Sequence, residues 1–182
     1  MKKIIILFLV LSALYSSSDA QITKGNWMVG GDASFSLDYT RYEYDEIAPT
    51  HGFRGLISPG VGYFLIDKLT MGLKADLNFN HFRNGTPHME TQFSLNTGPF
   101  LRYYFLPAEN IINIFGGAAY EHFFHTYANP ANTYSVFAGP TFFFNSSVAA
   151  ELLAGLDYFK PKGNAITTSF KVNIGLQIYL KK

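Results

Sequence analysis

Apolar side chains recur at every second position over long stretches of this chain. Between residues 27 and 40 the odd positions read Trp27, Val29, Gly31, Ala33, Phe35, Leu37 and Tyr39, and the even positions Met28, Gly30, Asp32, Ser34, Ser36, Asp38 and Thr40. A period of two puts these sets on opposite faces of an extended strand, one apolar and one small and polar. The alternation returns at 69–80, where Leu69, Met71, Leu73, Ala75, Leu77 and Phe79 oppose Thr70, Gly72, Lys74, Asp76, Asn78 and Asn80, and again at 168–180. Weaker versions fill 53–66, 91–105, 111–125, 134–144 and 148–158, which predicts eight strands of at least 11 residues. Ordinary strands run ~5–6 residues, whereas a tilted strand crosses a bilayer in ~9–11. Pro59, Pro99 and Pro140 fall inside the second, fourth and sixth strands and are expected to weaken them, because proline has no ladder donor.

The connections alternate. Tight ones follow the even strands, at Asp67-Lys68, 107–110 and 145–147; longer polar ones follow the odd strands, at 41–52, 83–90, 127–133 and 160–165. Gly60, Gly98, Gly139 and Gly175 each precede an aromatic-rich strand end and lie 38, 41 and 36 residues apart. Each unit of that length holds one hairpin, so four hairpins in one sheet are expected. Short turns at one end and longer loops at the other fit a transmembrane barrel, with the turns and both termini periplasmic.

Periodicity alone does not say which face is inside. An eight-stranded soluble carrier of the lipocalin kind would hide the apolar face. Composition favours the reverse: only 15% of residues are charged, aromatics reach 17%, and formal net charge is +1. The polar face is small and glycine-rich, as a crowded eight-stranded lumen requires. Its charges are few and of both signs: Asp32, Lys74, Asp76, Arg102, Glu121, Glu151, Asp157 and Lys171. A water-facing surface would carry many more Lys and Glu. The balanced charge also argues against nucleic acid as a partner.

Residues 1–20 read as a cleaved secretory signal, with Lys2 and Lys3, an apolar run over 4–15, and Ser18-x-Ala20 at the cleavage position. Residues 21–182 then form the barrel domain. No later stretch offers the ~20 apolar residues of a membrane helix, so a bilayer-spanning form has to be a closed barrel. With no cysteine, disulfides, thiolate metal sites and Cys catalysis are excluded.

The stretch Pro59-Gly-Val-Gly-Tyr-Phe-Leu-Ile-Asp67 and the last strand carry a resemblance. The chain resembles the eight-stranded outer-membrane barrels of the OmpA/OmpX type, and most of all the Bacteroidota outer membrane protein beta-barrel domains. That resemblance implies an all-β, antiparallel, up-and-down transmembrane β-barrel in a Gram-negative outer membrane, in contact with lipid including lipopolysaccharide. Asn173, Gly175, Ile178 and Leu180 match the family's C-terminal assembly signal, which implies recognition by the barrel-assembly machinery. The family often ends at an aromatic residue; this chain adds Lys181-Lys182.

Candidate chemistry is sparse. Eight lumen charges are expected to form a structural ion network, since side chains fill so narrow a barrel and buried charges need partners; a gated ion path or proton relay is the sharper alternative. Asp157 and Lys171 face each other if the last hairpin is centred on Asn164. His51 and His88 fall in loops and His81 at a rim; a rim metal site from His81, His88 and His125 is the only histidine grouping worth testing. His122 should face lipid near the outer rim, beside Phe93, Leu95, Tyr134 and Val136. Without a neighbouring serine or carboxylate it does not make a lipid A acyl hydrolase or transferase, the main alternative function. No catalytic residue, cofactor or metal is expected. The expected role is structural, adhesive or surface contact, exercised as a monomer through the outer loops, of which Arg41-Tyr-Glu-Tyr-Asp-Glu46 is the most distinctive.

Overall fold

The computed structural model describes residues 22–40, 50–83, 90–124, 131–161 and 166–182. They form eight antiparallel strands: β1 Trp27–Thr40, β2 Thr50–Ile66, β3 Leu69–Arg83, β4 Glu90–Tyr104, β5 Ile112–Phe124, β6 Ala131–Phe143, β7 Val148–Pro161 and β8 Thr167–Leu180. Each pairs with its chain neighbour, and β8 returns to β1 from Trp27↔Leu180 to Ala33↔Ile174, so the sheet closes with no free edge. β2 begins at Thr50 rather than 53, which places His51 in a strand instead of a loop. The candidate loop 41–46, His88, His125 and the signal segment lie outside the described residues.

The alternation dictates which side chain goes where, and the barrel is inside out relative to a soluble protein. Leu73, Phe93, Phe170 and Ile174 are 60–73% exposed on the outer wall. Glu121, Glu151 and Arg102 are at most 5% exposed in the lumen. Among the strand residues whose side chains are described, no Asp or Glu points outward. This removes the lipocalin-like carrier, whose lumen would be apolar.

The three strand prolines do not break their strands. Pro59, Pro99 and Pro140 pair with Gly31, Leu73 and Ile114 on the preceding strand. The ladder to the following strand skips two rungs at each: between Ile57↔Leu77 and Gly60↔Lys74, between Thr97↔His122 and Phe100↔Ala119, and between Ala138↔Ala154 and Thr141↔Glu151. The missing N–H therefore costs pairing on one side only. At two of these gaps the next strand's carbonyl closes in on a glycine. A Cβ on Gly98 would sit 1.9 Å from Tyr120 O, and one on Gly139 1.8 Å from Leu152 O. Only glycine allows that approach.

At the turn end, residues 22–26 fold back under the barrel. Lys68 N donates to Ile22 O at 2.8 Å and Gly25 N to Phe64 O at 2.9 Å. Asp67 Oδ1 accepts from Lys24 N at 2.8 Å, and Lys68 turns the β2–β3 hairpin with φ at 68°. Fully buried Ile22 joins Phe64, Tyr104, Phe115, Phe143 and Tyr179 in an apolar cluster that fills this end of the lumen.

Candidate functional site: the lumen network and the loop-ward wall

All eight charges named from the sequence project into the lumen, in two layers. The turn-ward layer is built on Arg102, one inward position beyond Tyr104 on β4, and Glu151, one beyond Ala149 on β7. Arg102 Nη1 lies 2.7 Å from Glu151 Oε2. Its guanidinium stacks 4.3 Å from the Phe115 centroid and 5.7 Å from that of Phe137. Glu151 also accepts from Thr141 Oγ1 at 3.0 Å and Gln177 Nε2 at 3.2 Å. The Tyr104 and Tyr179 hydroxyls are 2.9 Å apart and reach Glu151 Oε1 at 3.4 and 3.5 Å. Both carboxylate oxygens are thus saturated, as a charge buried this deeply requires.

The loop-ward layer has two lysines and four carboxylates. Lys74 Nζ bridges Asp76 at 3.1 Å and Glu121 at 2.9 Å. Asp32 accepts from Asn173 Nδ2. Lys171 Nζ lies 2.9 Å from Asp157 Oδ2, and Ser135 donates to Asp157 Oδ1 at 2.6 Å. The direct rung expected for Asp157 and Lys171 is corrected: Asp157 faces Ser169 and Lys171 faces Gly155, because the β7–β8 hairpin is centred one residue before Asn164. The contact is diagonal. Between the layers is a cavity of about 30 Å³, bordered by Asp32, Lys74, Phe100, Arg102, Phe137 and Gln177. That is room for about two waters.

The assembly-signal residues divide by face. Asn173 and Gly175 point inward and Ile178 and Leu180 outward on the closing strand. Among the described residues no group of three His, Asp or Glu is placed to hold a metal. His81 Nδ1 is 2.8 Å from Thr91 Oγ1, and the other two histidines of the expected rim site, His88 and His125, lie outside the described residues.

The outer wall holds one polar arrangement that sequence reading missed. His122 faces outward, with the expected Leu95 and Tyr134 at diagonal positions, but its direct rung partners are the polar Thr97 and Asn132. Asn132 Oδ1 lies 2.9 Å from His122 Nδ1 and accepts from Tyr120 OH at 3.0 Å. A carbonyl oxygen only accepts, so Nδ1 of His122 carries a proton. Lys160 follows on the same rung, opposite Asn132. Two residues nearer the middle on the same face run Tyr120, Tyr134 and Tyr158, with ring centroids 5.3 and 6.4 Å apart. The signal was present in the sequence, as polar residues just beyond each strand's last outward tyrosine, but seeing them as one row needs the register.

No protein-family model and no curated protein matches the chain. Solved structures do. The outer membrane protein OprG of Pseudomonas aeruginosa is similar over 90% of this chain and 100% of its own, at 14% identity and a TM-score of 0.51. The N-terminal β-barrel domain of Pseudomonas aeruginosa OprF covers 86% and 98% at 14% identity, with a TM-score of 0.42. E. coli Outer Membrane Protein W covers 88% and 98% at 12% identity, with a TM-score of 0.45. At such identities the likeness is one of fold, and the OprG match gives a closed eight-stranded barrel.

Proposed function

We propose that the protein is an outer-membrane β-barrel that acts from its loop end, in surface contact or adhesion, and that its lumen is structural rather than a path or a catalytic site. The carrying observation is the inversion of the barrel. Charges are paired inside, and the outer wall is apolar between a turn-ward aromatic girdle that includes Trp27 and Tyr63 and the loop-ward tyrosines. In water such a wall would be an aggregation surface; in lipid it is the stable one. The closed sheet satisfies the backbone, as a bilayer demands. Both lumen layers and the buried Ile22 cluster oppose passage of solutes.

In this reading the turns and both termini are periplasmic, and the long loops reach outside the cell. The barrel-assembly machinery recognises β8, the surrounding lipid includes lipopolysaccharide, and the barrel is a monomer without nucleic-acid partners. The Bacteroidota type is proposed on the 59–67 stretch and the last strand. The test is membrane fractionation of expressing cells followed by protease added to intact cells. Recovery in the outer membrane with cleavage confined to the long connections is the expected result. A soluble product, or cleavage only after the cells are opened, would refute it.

A further inference from the structure

We propose that the loop-ward outer wall of β5, β6 and β7 is a binding site for the phosphate group of a membrane lipid, with Lys160 as the cationic contact, the Asn132 amide as a donor oriented by His122, and the adjacent tyrosines framing them. This rests on the outer-membrane reading and adds to it a position and a ligand chemistry. The row Thr97, His122, Asn132 and Lys160 is continuous across four strands by direct register. It interrupts a largely apolar wall and, unlike the His81–Thr91 pair on β3 and β4, it carries a lysine. Lys160 is exposed, and among the described outward strand residues there is no carboxylate to neutralise it. Thr97 has its hydroxyl turned to Lys74 O at 2.8 Å and is spent on the sheet. Asn132 is oriented by Tyr120 and His122, which both use its oxygen, so its remaining polar group is the donating amide.

Position selects the ligand class. Tyrosines at a bilayer boundary sit at headgroup level, with rings toward the acyl chains and hydroxyls toward water. The row of Tyr120, Tyr134 and Tyr158 therefore marks the boundary, and the His122–Asn132–Lys160 row lies two residues along each strand on the water side of it, where lipid phosphates are. A lysine as a point charge beside an oriented amide donor suits a phosphate monoester better than a zwitterionic headgroup. The turn-ward girdle lacks this arrangement: beyond Trp27 and Tyr63 the chain enters the Asp67-Lys68 turn, where the carboxylate and ammonium are adjacent.

The test uses the full mature chain refolded in nanodiscs of phosphatidylcholine doped with lipid A, and reads the lipid retained after purification. Lys160→Gln should lower lipid A retention about fivefold, the weight of one cation at an anionic surface. Adding His122→Gln should lower it further, Lys160→Arg should preserve it, and Lys24→Gln at the other end should leave it unchanged. Retention in lipid-A-free discs should not differ among these proteins. Inorganic phosphate alone should neither bind measurably nor displace the lipid; binding it as tightly as lipid A would overturn a lipid source. Equal lipid A retention by wild type and the double variant, both with full strand content by circular dichroism, would overturn the site while leaving the outer-membrane reading intact. Failure of the wild type to enter discs at all would overturn both.

Discussion

Lys171 and Asp157 form an ion pair at 2.9 Å although neither is the other's rung partner. Lys171 stands opposite Gly155 and Asp157 opposite Ser169, so the lysine reaches to the next same-face position, two residues toward the loops. Gly155 makes this reach feasible: a Cβ there would already touch Lys171 Cε at 3.4 Å. Diagonal neighbours on antiparallel strands lie within the span of a long side chain.

Lys171→Met should destabilise the barrel by about 2–3 kcal/mol, less than the ~3–5 kcal/mol of a fully buried pair, because Asp157 keeps its Ser135 hydrogen bond and some solvent. Adding Asp157→Asn should recover much of the loss. Urea unfolding of the double-mutant cycle measures this, and additive losses would show that the two charges do not interact.

The Arg102–Glu151 pair should matter more. Arg102→Met leaves Glu151 buried with only neutral donors and should cost about 3–5 kcal/mol, with partial recovery in Arg102→Met/Glu151→Gln. Arg102→Lys should fail to rescue, since an ammonium does not reproduce the planar stack on Phe115. Unfolding midpoints of the three variants provide the check, and full rescue by lysine would mean that only charge counts here.

At the proline gaps the glycine should be the sensitive residue. Gly139→Ala forces a methyl against Leu152 O and should cost about 1–3 kcal/mol, whereas Pro140→Ala removes nothing that the β6–β7 ladder uses and should cost less. Refolding yield and unfolding midpoint, compared across the two variants, test the order. The reverse order would mean that the proline itself shapes the strand.

In planar bilayers the purified protein should give no stable single-channel current. The cavity holds about two waters, and buried Ile22 seals the turn end with Phe64, Tyr104 and Tyr179. Sustained large conductance would contradict a structural lumen.

The strands and their faces were legible because the period is two and nearly uninterrupted: the outward residues Leu73, Leu101, Leu156 and Ile174 follow from alternation alone. Register was not. The 7–8 connection has no turn signature that fixes its centre, and a shift of one residue in that centre turned a direct Asp157–Lys171 rung into a diagonal one. The one-sided effect of Pro59, Pro99 and Pro140 was equally hidden, since a sequence does not say which neighbour a proline's missing N–H faces. The inward fold of Ile22 depends on backbone bonds to Phe64 and Lys68 from a segment with no periodicity of its own. The outer polar row escaped for the same reason as the rung: His122, Asn132 and Lys160 come from three strands and meet only through register.

The inversion of the barrel is tested most directly by asking each face what it touches. The chain has no cysteine, so single-cysteine variants need no altered background. Leu73→Cys, Ile174→Cys and Leu176→Cys on the outer wall, and Asn173→Cys in the lumen, can be spin-labelled in reconstituted bilayers and probed with oxygen and a water-soluble nickel relaxant. The inside-out arrangement predicts strong oxygen access and negligible nickel access at 73, 174 and 176, with low oxygen access at 173. Nickel access at the three outer positions, with oxygen-accessible label at 173, would contradict it.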